Sequence, residues 1–329
     1  MVFVQILLGG ITRLTGSGLS ITEWKPLIGA LPPLNHAEWS QSFKQYQQIA
    51  QFKKLNNEFT LSDYQHIFFW EWLHREWARL MALVFIVPFI VFLLQKKFNR
   101  QLKRQLPGVF VVGGLQALAG WLMVQSGLND TDVRVSHIRL AVHFVLALFL
   151  VVYLFWMLLS LQDQKACGNA PASFRLLTLC IIMVLGVQLV YGAFMAGTRA
   201  ALYAPTWPDI NGTFFLTTSG IGGSFLHRVV YDPLLIQFIH RSLAYLLFVL
   251  LLAWFYYSGK IADRFTSGYV RTYPLMFVII QVILGILCLL YSTRPVFTWF
   301  AVLHQLNAIL LLLSVVNVFY HGRKQIVYV

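Results

Sequence analysis

Charge is scarce in this sequence, and acidic charge is the scarcest. Only 11% of the 329 residues are charged, with 12 Asp and Glu against 25 Lys and Arg, while 58% are hydrophobic. The mean hydropathy of +0.67 lies far above that of a soluble domain. These proportions exclude a soluble globular protein and predict an all-α polytopic membrane protein.

Cysteine is also scarce, with only three residues in the chain. Cys180 and Cys288 fall inside apolar runs, and Cys167 falls in a short connecting segment. A disulfide framework in the long loops is therefore excluded.

Long apolar runs are abundant, and seven of them can cross the roughly 30 Å hydrocarbon core, which takes about 20 helical residues. The opening segment, MVFVQILLGGI, has only about half that length. We interpret it as the outer end of a truncated first helix, because a cleaved signal peptide would need a basic n-region and a small-residue cleavage site. Eight transmembrane helices are expected, and the seven full runs lie near residues 67–94, 107–125, 137–160, 174–196, 234–257, 272–291 and 297–320.

Basic residues predict the orientation of these helices. Four short segments hold 12 of the 25 Lys and Arg, and by the positive-inside rule they face the cytoplasm. A nucleic-acid patch is disfavoured because each cluster borders an apolar helix. The long loops at 13–65 and 197–233 then face the other side. The four segments read QKKFNRQLKRQ, DQKACGNAPASFR, SGKIADRFTSGYVR and HGRKQ.

One motif occurs twice and indicates an internal repeat. WEWLHREWAR at 70–79 is matched by IQFIHRSLAY at 236–245, and TEWKPLIG at 22–29 by PTWPDING at 205–212. The period of about 165 residues predicts two parallel repeats of four helices each. We expect an N-terminal half at 1–160, a cytoplasmic linker at 161–173 and a C-terminal half at 174–320.

A Gln-x-x-x-Gly word also recurs in the first, third, fifth and seventh predicted membrane helices. It begins at Gln5, Gln116, Gln188 and Gln281. Small residues in membrane helices favour close packing, and we prefer that interpretation to a chemical role.

Four histidines share one predicted depth. At 1.5 Å per residue, each lies on the order of 10 to 13 Å below the outer end of its helix. A lone membrane histidine is more often a packing residue, but two in each half favour axial heme ligation from facing helices. Zinc fits less well because two histidines in each half, without nearby Cys or well-placed carboxylates, fall short of its usual three or four ligands. The predicted heme-iron ligands are His74, His143, His240 and His304.

The halves differ at one position that carries charge. Glu71 lies three residues before His74, whereas Gln237 lies three before His240. A carboxylate inside a membrane segment is costly, and it predicts a functional group. A simple helix-surface ion pair with Arg75, four residues on, is the alternative.

Three arginines lie within about a turn of the candidate ligands. Arg75, Arg139 and Arg241 suit heme propionates as charge-assisted donors, and interfacial snorkelling explains them equally well. The remaining five histidines are expected to be solvated, in loops or at helix ends: His36, His66, His137, His227 and His321.

Several long motifs in order, from residue 9 to about 312, resemble the heme A synthase family in its mitochondrial and proteobacterial form. They are GGITRLTGSGLSITEWKP, GALPPL, FFWEWLHREWAR, VSHIRLAVHFVLA, TWPDING and IQFIHRSLAY. The resemblance implies oxidation of one methyl group of heme O to a formyl group through hydroxylated intermediates, making heme A for terminal oxidases.

Residue roles follow from the resemblance motif by motif. It implies that His74 and His143 bind the substrate heme O, that His240 and His304 bind a permanent heme b, and that Glu71 is catalytic. The sequence departs from the family pattern at Ala78, where glycine is expected, and at Ile138, where tyrosine is expected. The cysteine pair that some bacterial relatives carry in the first outer loop is also absent.

The resemblance also implies a location and partners. It places the chain in the bacterial inner membrane, with its heme sites toward the periplasm. Heme O synthase, cytochrome oxidase assembly proteins and an electron acceptor are the expected partners, a homo-oligomer stays open, and nucleic acid is not expected. Two other classes stay open from the residues alone: a bis-histidine diheme b-type cytochrome oxidising quinol, and a transporter built from repeats.

Overall fold

The computed structural model describes residues 1–23, 28–162, 170–214, 223–261 and 268–323, and α-helices make up most of them. Apolar side chains surround a backbone that must satisfy its own hydrogen bonds in lipid, and the helix does this within one segment. One isolated antiparallel bridge joins Ile210 and Thr213. The helices are α1 (Val2–Leu14), α2 (His36–Tyr46), α3 (Ala50–Leu55), α4 (Leu61–Leu94), α5 (Arg100–Gln125), α6 (His137–Gln162), α7 (Ala172–Thr198), α8 (Phe225–Tyr231), α9 (Pro233–Ile261), α10 (Gly268–Leu290) and α11 (Phe297–Gly322).

Seven of the described helices are long and apolar enough to cross a membrane, namely α4, α5, α6, α7, α9, α10 and α11. The all-α membrane class is therefore confirmed, and each of the seven predicted runs is a helix. α1 is apolar but has only 13 residues. The eighth span and the parallel repeat stay predictions.

The chain divides into two compact units, Met1–Leu150 and Val151–Val329. The predicted half boundaries at 160 and 174 stay predictions, and most of the predicted linker lies outside the described residues, in 163–169. Cys167 and part of the predicted cytoplasmic basic clusters also fall outside the described residues.

The N-terminal unit contains structure that the sequence did not predict. The segment 13–65, expected to be a loop, contains α2 and α3. Asn35 caps α2 through the backbone N–H of Glu38, and Thr60 and Asp63 form a capping box at the start of α4. These caps fix where the two helices begin, although neither helix shows a strong period in the sequence.

An aromatic cluster joins α2 and α3 to the first turns of α4. Tyr46 and Tyr64 are fully buried and their rings stack with centroids 5.2 Å apart, while Trp39 meets Phe68 edge-on at 5.0 Å. Burial raises the pKa of Tyr46 to about 12, so its hydroxyl stays protonated and donates to Gln51. We call Trp39, Tyr46, Tyr64 and Phe68 the aromatic cap.

In the C-terminal unit, α7 packs against α9 and α10 packs against α11. Trp254 of α9 is 1% exposed, stacks on Phe174 at 5.4 Å and donates from Nε1 to Thr178 Oγ1 at 2.9 Å. The buried indole therefore has its hydrogen-bond partner, and the two helices meet along a filled interface.

Candidate functional site

The four predicted ligands lie on α4, α6, α9 and α11, and each is partly buried. His74 and His143 are close enough to interact electrostatically within the N-terminal unit. His240 and His304 do the same within the C-terminal unit. The structure thus brings the four histidines together as two pairs, and iron ligation by them stays a prediction.

In the N-terminal unit, each imidazole meets a glutamine from a neighbouring helix. Gln5 Nε2 of α1 lies 3.3 Å from His74 Nε2 and donates to the main-chain oxygen of His74 at 3.1 Å. Gln116 Nε2 of α5 lies 3.5 Å from His143 Nε2. Both rings are therefore held by a helix other than their own.

The C-terminal unit repeats this arrangement. Gln188 Nε2 of α7 lies 3.4 Å from His240 Nε2, and Gln281 Nε2 of α10 lies 3.1 Å and 3.2 Å from the two ring nitrogens of His304. Asn307 donates to Gln281 Oε1 at 2.7 Å. That bond fixes which end of the Gln281 amide faces the ring.

Each imidazole also lies against the glycine that follows its glutamine by four residues. These glycines allow the close approach that the packing interpretation predicted. The glutamine contacts were missed, although the word recurs in the helix beside every candidate histidine. The distances from an added Cβ to the ring Cε1 are 3.0 Å for Gly9 and His74, 2.7 Å for Gly120 and His143, 3.5 Å for Gly192 and His240, and 3.1 Å for Gly285 and His304.

The donor set fits a heme iron. Nδ1 is buried in His74, His143 and His240 and has no hydrogen-bond partner within the described part of the chain. An unpaired buried polar atom costs about 1–3 kcal/mol, and a metal ion satisfies it. Among the described residues no group of three or more His, Cys, Asp and Glu is placed to hold a metal, so pairs of imidazoles favour heme over zinc.

Glu71 lies one turn before His74 on α4 and is only 3% exposed. Its Oε2 accepts hydrogen bonds from Ser20 Oγ at 2.8 Å and from the Ile21 N–H at 2.9 Å. Its Oε1 accepts from Arg75 Nη2 at 2.6 Å. The predicted ion pair with Arg75 is present within α4, and the other two contacts bind the carboxylate to the segment after α1. The catalytic role stays a prediction.

Gln237 occupies the matching position in the C-terminal unit and is fully buried. Its Nε2 donates to the Ala204 carbonyl at 2.8 Å. Arg241 donates to the carbonyls of Thr206 at 3.2 Å and Asp209 at 3.0 Å. The segment after α7 is thus anchored without a carboxylate.

The arginines predicted near heme propionates bind main-chain carbonyls. Arg75 donates to Ile21 at 3.1 Å and to Glu23 at 3.4 Å, and Arg139 donates to Leu122 at 2.8 Å. Propionate binding by these arginines stays a prediction, because the contacts are compatible with either interpretation.

The other histidines lie apart from the two pairs. His36 and His137 begin α2 and α6, His66 lies near the start of α4 and His321 near the end of α11. His227 lies on α8 and stacks on Tyr231 with ring centroids 4.5 Å apart. Its His-Arg dipeptide resembles the repeated motif but is on a separate short helix.

Comparison with known proteins agrees with this architecture. The model of the family described as "Cytochrome oxidase assembly protein" matches residues 1–316. A heme A synthase from Flavobacterium psychrophilum is 38% identical over 318 residues, covering 95% of this chain and 92% of the relative. One from Pelagibacter ubique is 37% identical over 322 residues, covering 97% and 93%. One from Rhodospirillum centenum is 43% identical over 259 residues, covering 77% and 68%.

Proposed function

This chain belongs to the family of cytochrome oxidase assembly proteins, and from that membership we infer that it is a heme A synthase, a membrane oxidoreductase. The reaction converts heme O to heme A by oxidising one methyl substituent to a formyl group through hydroxylated intermediates. The observation that carries this inference is the match to heme A synthases over 95% of the chain. Two histidine pairs, with a buried acid beside only one of them, agree with it.

The N-terminal pair is the proposed substrate site. His74 and His143 hold the iron of heme O from α4 and α6, and Gln5 and Gln116 set the positions of the two rings. This assignment is supported by Glu71, one turn from His74, because oxidation of a carbon substituent releases protons that a nearby carboxylate can accept.

The C-terminal pair is the proposed site of a resident heme b, held by His240 and His304. Held there by His240 and His304, a heme b would supply one-electron transfer, with a potential tuned by these two histidines and their surroundings. The protein's own contribution is to hold the two rings through Gln188 and Gln281 in a unit whose helices pack closely.

Glu71 is the proposed catalytic residue. Gln237 anchors its segment at the matching position without charge, so anchoring alone does not require an acid. The charge at Glu71 then has a separate use, which is to accept a proton or orient water as the methyl or hydroxymethyl carbon is oxidised. Its ion pair with Arg75 reduces the cost of burying that charge.

The heme sites are proposed to lie toward the periplasmic face of the inner membrane. Residues 95–105, which connect α4 to α5 and include the first residues of α5, carry five basic residues and no acid, and this supports a cytoplasmic position by the positive-inside rule. The histidines lie nearer the opposite ends of their helices.

Pigment analysis of the purified protein tests the proposed function. Heme B together with heme O or heme A supports a synthase. Heme B alone would instead indicate a b-type cytochrome, and a protein without heme a transporter. His240→Ala or His304→Ala should remove the low-spin heme B spectrum, while the controls His36→Ala and His227→Ala leave it unchanged. An intact spectrum in both ligand variants would reject the C-terminal heme site.

A further inference from the structure

Ser20 binds the carboxylate that is proposed to act on the substrate. It lies in the segment after α1, is 1% exposed and donates from Oγ to Glu71 Oε2 at 2.8 Å. The N–H of the next residue, Ile21, donates to the same oxygen at 2.9 Å. Arg75 contacts the other oxygen, so it alone would leave Oε2 free to turn.

Tyr64 holds Ser20 in turn. Its hydroxyl donates to the Ser20 carbonyl at 3.2 Å and is 2.6 Å from Ser42 Oγ of α2. Tyr64 and Glu71 are seven residues apart, about two turns along one face of α4. The Tyr64 ring is fixed by stacking within the aromatic cap, so the Ser20 main chain is bound to a rigid partner.

The matching positions of the C-terminal unit do not repeat the Ser20–Tyr64 pair. In the alignment of TEWKPLIG with PTWPDING, the counterpart of Ser20 is Tyr203, which is 54% exposed. The residue seven before Gln237 is Val230, where the N-terminal unit has Tyr64. The buried serine and the tyrosine that holds it are therefore found, at these matched positions, in the unit that has Glu71.

We propose that Ser20 is a positioning residue for Glu71, and that Tyr64 holds Ser20 through its carbonyl. This inference rests on the proposed role of Glu71. A carboxylate bound at one oxygen by Arg75 and at the other by Ser20 and Ile21 keeps one orientation beside His74. Loss of the serine hydroxyl removes the only side-chain donor to Oε2 among the described residues and leaves that oxygen with the Ile21 N–H alone, so the carboxylate is held less firmly.

The experiment compares Ser20→Ala with Ser20→Thr, which restores a hydroxyl, and with Ser17→Ala. Ser17 is a matched control in the same segment, since it is fully buried and its hydroxyl pairs with Thr15 Oγ1 at 2.6 Å. Ser20→Ala should lower formyl heme formation about tenfold at unchanged heme O content, with the hydroxylated intermediate accumulating. Ser20→Thr should recover most of the activity, and Ser17→Ala should match wild type.

A spectroscopic readout separates positioning from general damage. Infrared difference spectra identify the Glu71 carboxylate band as the one missing in Glu71→Gln. That band should shift in Ser20→Ala, because a hydrogen bond to Oε2 is lost, and stay in place in Ser17→Ala. Tyr64→Phe, which keeps the ring, should give a smaller shift and a loss of about threefold.

Three results would overturn the inference: wild-type formyl heme formation in Ser20→Ala, an unshifted band, or a loss of heme O content that Ser20→Thr does not restore. The Glu71→Gln variant separates a failure of the proposed role of Glu71 from a failure of the positioning role of Ser20. Full activity in Glu71→Gln would reject the proposed role of Glu71 itself. An inactive Glu71→Gln beside a fully active Ser20→Ala would reject only the positioning role.

Discussion

In the N-terminal unit Glu71 accepts hydrogen bonds from the segment after α1, whereas in the C-terminal unit Gln237 donates one to the segment after α7. Arg75 and Arg241, four residues on in each helix, both bind main-chain carbonyls of the same segments. In both units, side chains of a membrane helix therefore anchor the segment that follows an earlier helix. The units differ in whether the anchoring side chain accepts or donates the hydrogen bond, and in whether it carries a charge. A polar side chain thus anchors the segment in each unit, and at this position it is a carboxylate in the N-terminal unit and an amide in the C-terminal unit.

The histidine pairs differ in how closely they are packed. An added Cβ would lie 2.7 Å from Cε1 of His143 at Gly120, but 3.5 Å from Cε1 of His240 at Gly192. The first distance is shorter than real Cβ contacts, and the second is ordinary van der Waals contact. Equivalent glycines in the two units thus have unequal tolerance for a side chain.

The largest effect is expected from adding a methyl group at Gly120, the more closely packed of these two glycines. Gly120→Ala should displace His143 and lower the recovered heme O and heme A more than tenfold while heme B stays, because the methyl group overlaps the ring. Alanine favours the helix, so the loss would not come from helix propensity. The matched variant Gly192→Ala should keep its full heme B spectrum. Extracted pigments from both proteins give the measurement, and equal heme O recovery from Gly120→Ala and wild type would contradict the expectation.

A smaller effect is expected from giving the C-terminal unit the acid. Gln237→Glu places a carboxylate against the Ala204 carbonyl where an amide N–H now donates, so a buried acceptor loses its partner. We expect a destabilisation on the order of 1–3 kcal/mol, seen as a lower midpoint for thermal loss of heme B absorbance. Gln125→Glu, at an exposed position on α5, is the control and should leave the midpoint unchanged. An unchanged midpoint in Gln237→Glu would show that stability does not depend on a hydrogen-bond donor at this position.

The smallest effect concerns acid sensitivity of the segment after α7. Hydrogen bonds from the Gly212 N–H, at 2.9 Å, and from the Thr206 side chain lower the pKa of Asp209. Stability from a lowered carboxyl pKa is present above the unfolded value of about 4 and is lost as pH falls through the folded value. The protection factors of the amides in 203–214, corrected for the intrinsic pH dependence of exchange, should therefore fall in acid, and Asp209→Asn should reduce that dependence. Asp130→Asn, at an exposed site in the other unit, should leave it unchanged.

The membrane helices and the histidine pairs were predictable from the sequence, for physical reasons. A span needs a long apolar run whatever surrounds it, and His74, His143, His240 and His304 stand out because few polar side chains occur within such runs. Their pairing was predicted from their similar distances to the expected outer ends of the helices.

The surroundings of Glu71 were not predictable. Ser20 and Ile21 contact a residue 50 positions later, and a contact between a loop and a helix leaves no period in the sequence. α2 was missed for a related reason. Its aromatic residues pack on Tyr64 and Phe68 of α4, and this contact between distant parts of the chain leaves no apolar period within α2 itself. The glutamines left a clear signal in their repeated spacing, but packing by small residues explained that spacing equally well.

The length of α4 has a consequence for how this helix fits a bilayer. Its 34 residues extend about 51 Å, well beyond the roughly 30 Å of hydrocarbon. The far half presents side chains such as Leu83 and Val87 outward, and the near end is fastened into the aromatic cap. An apolar helix without such packing at its end shifts or tilts to match the thickness of the surrounding lipid. A helix packed at one end into a folded cap can shift only together with that cap, so its register relative to α2 is set by protein packing.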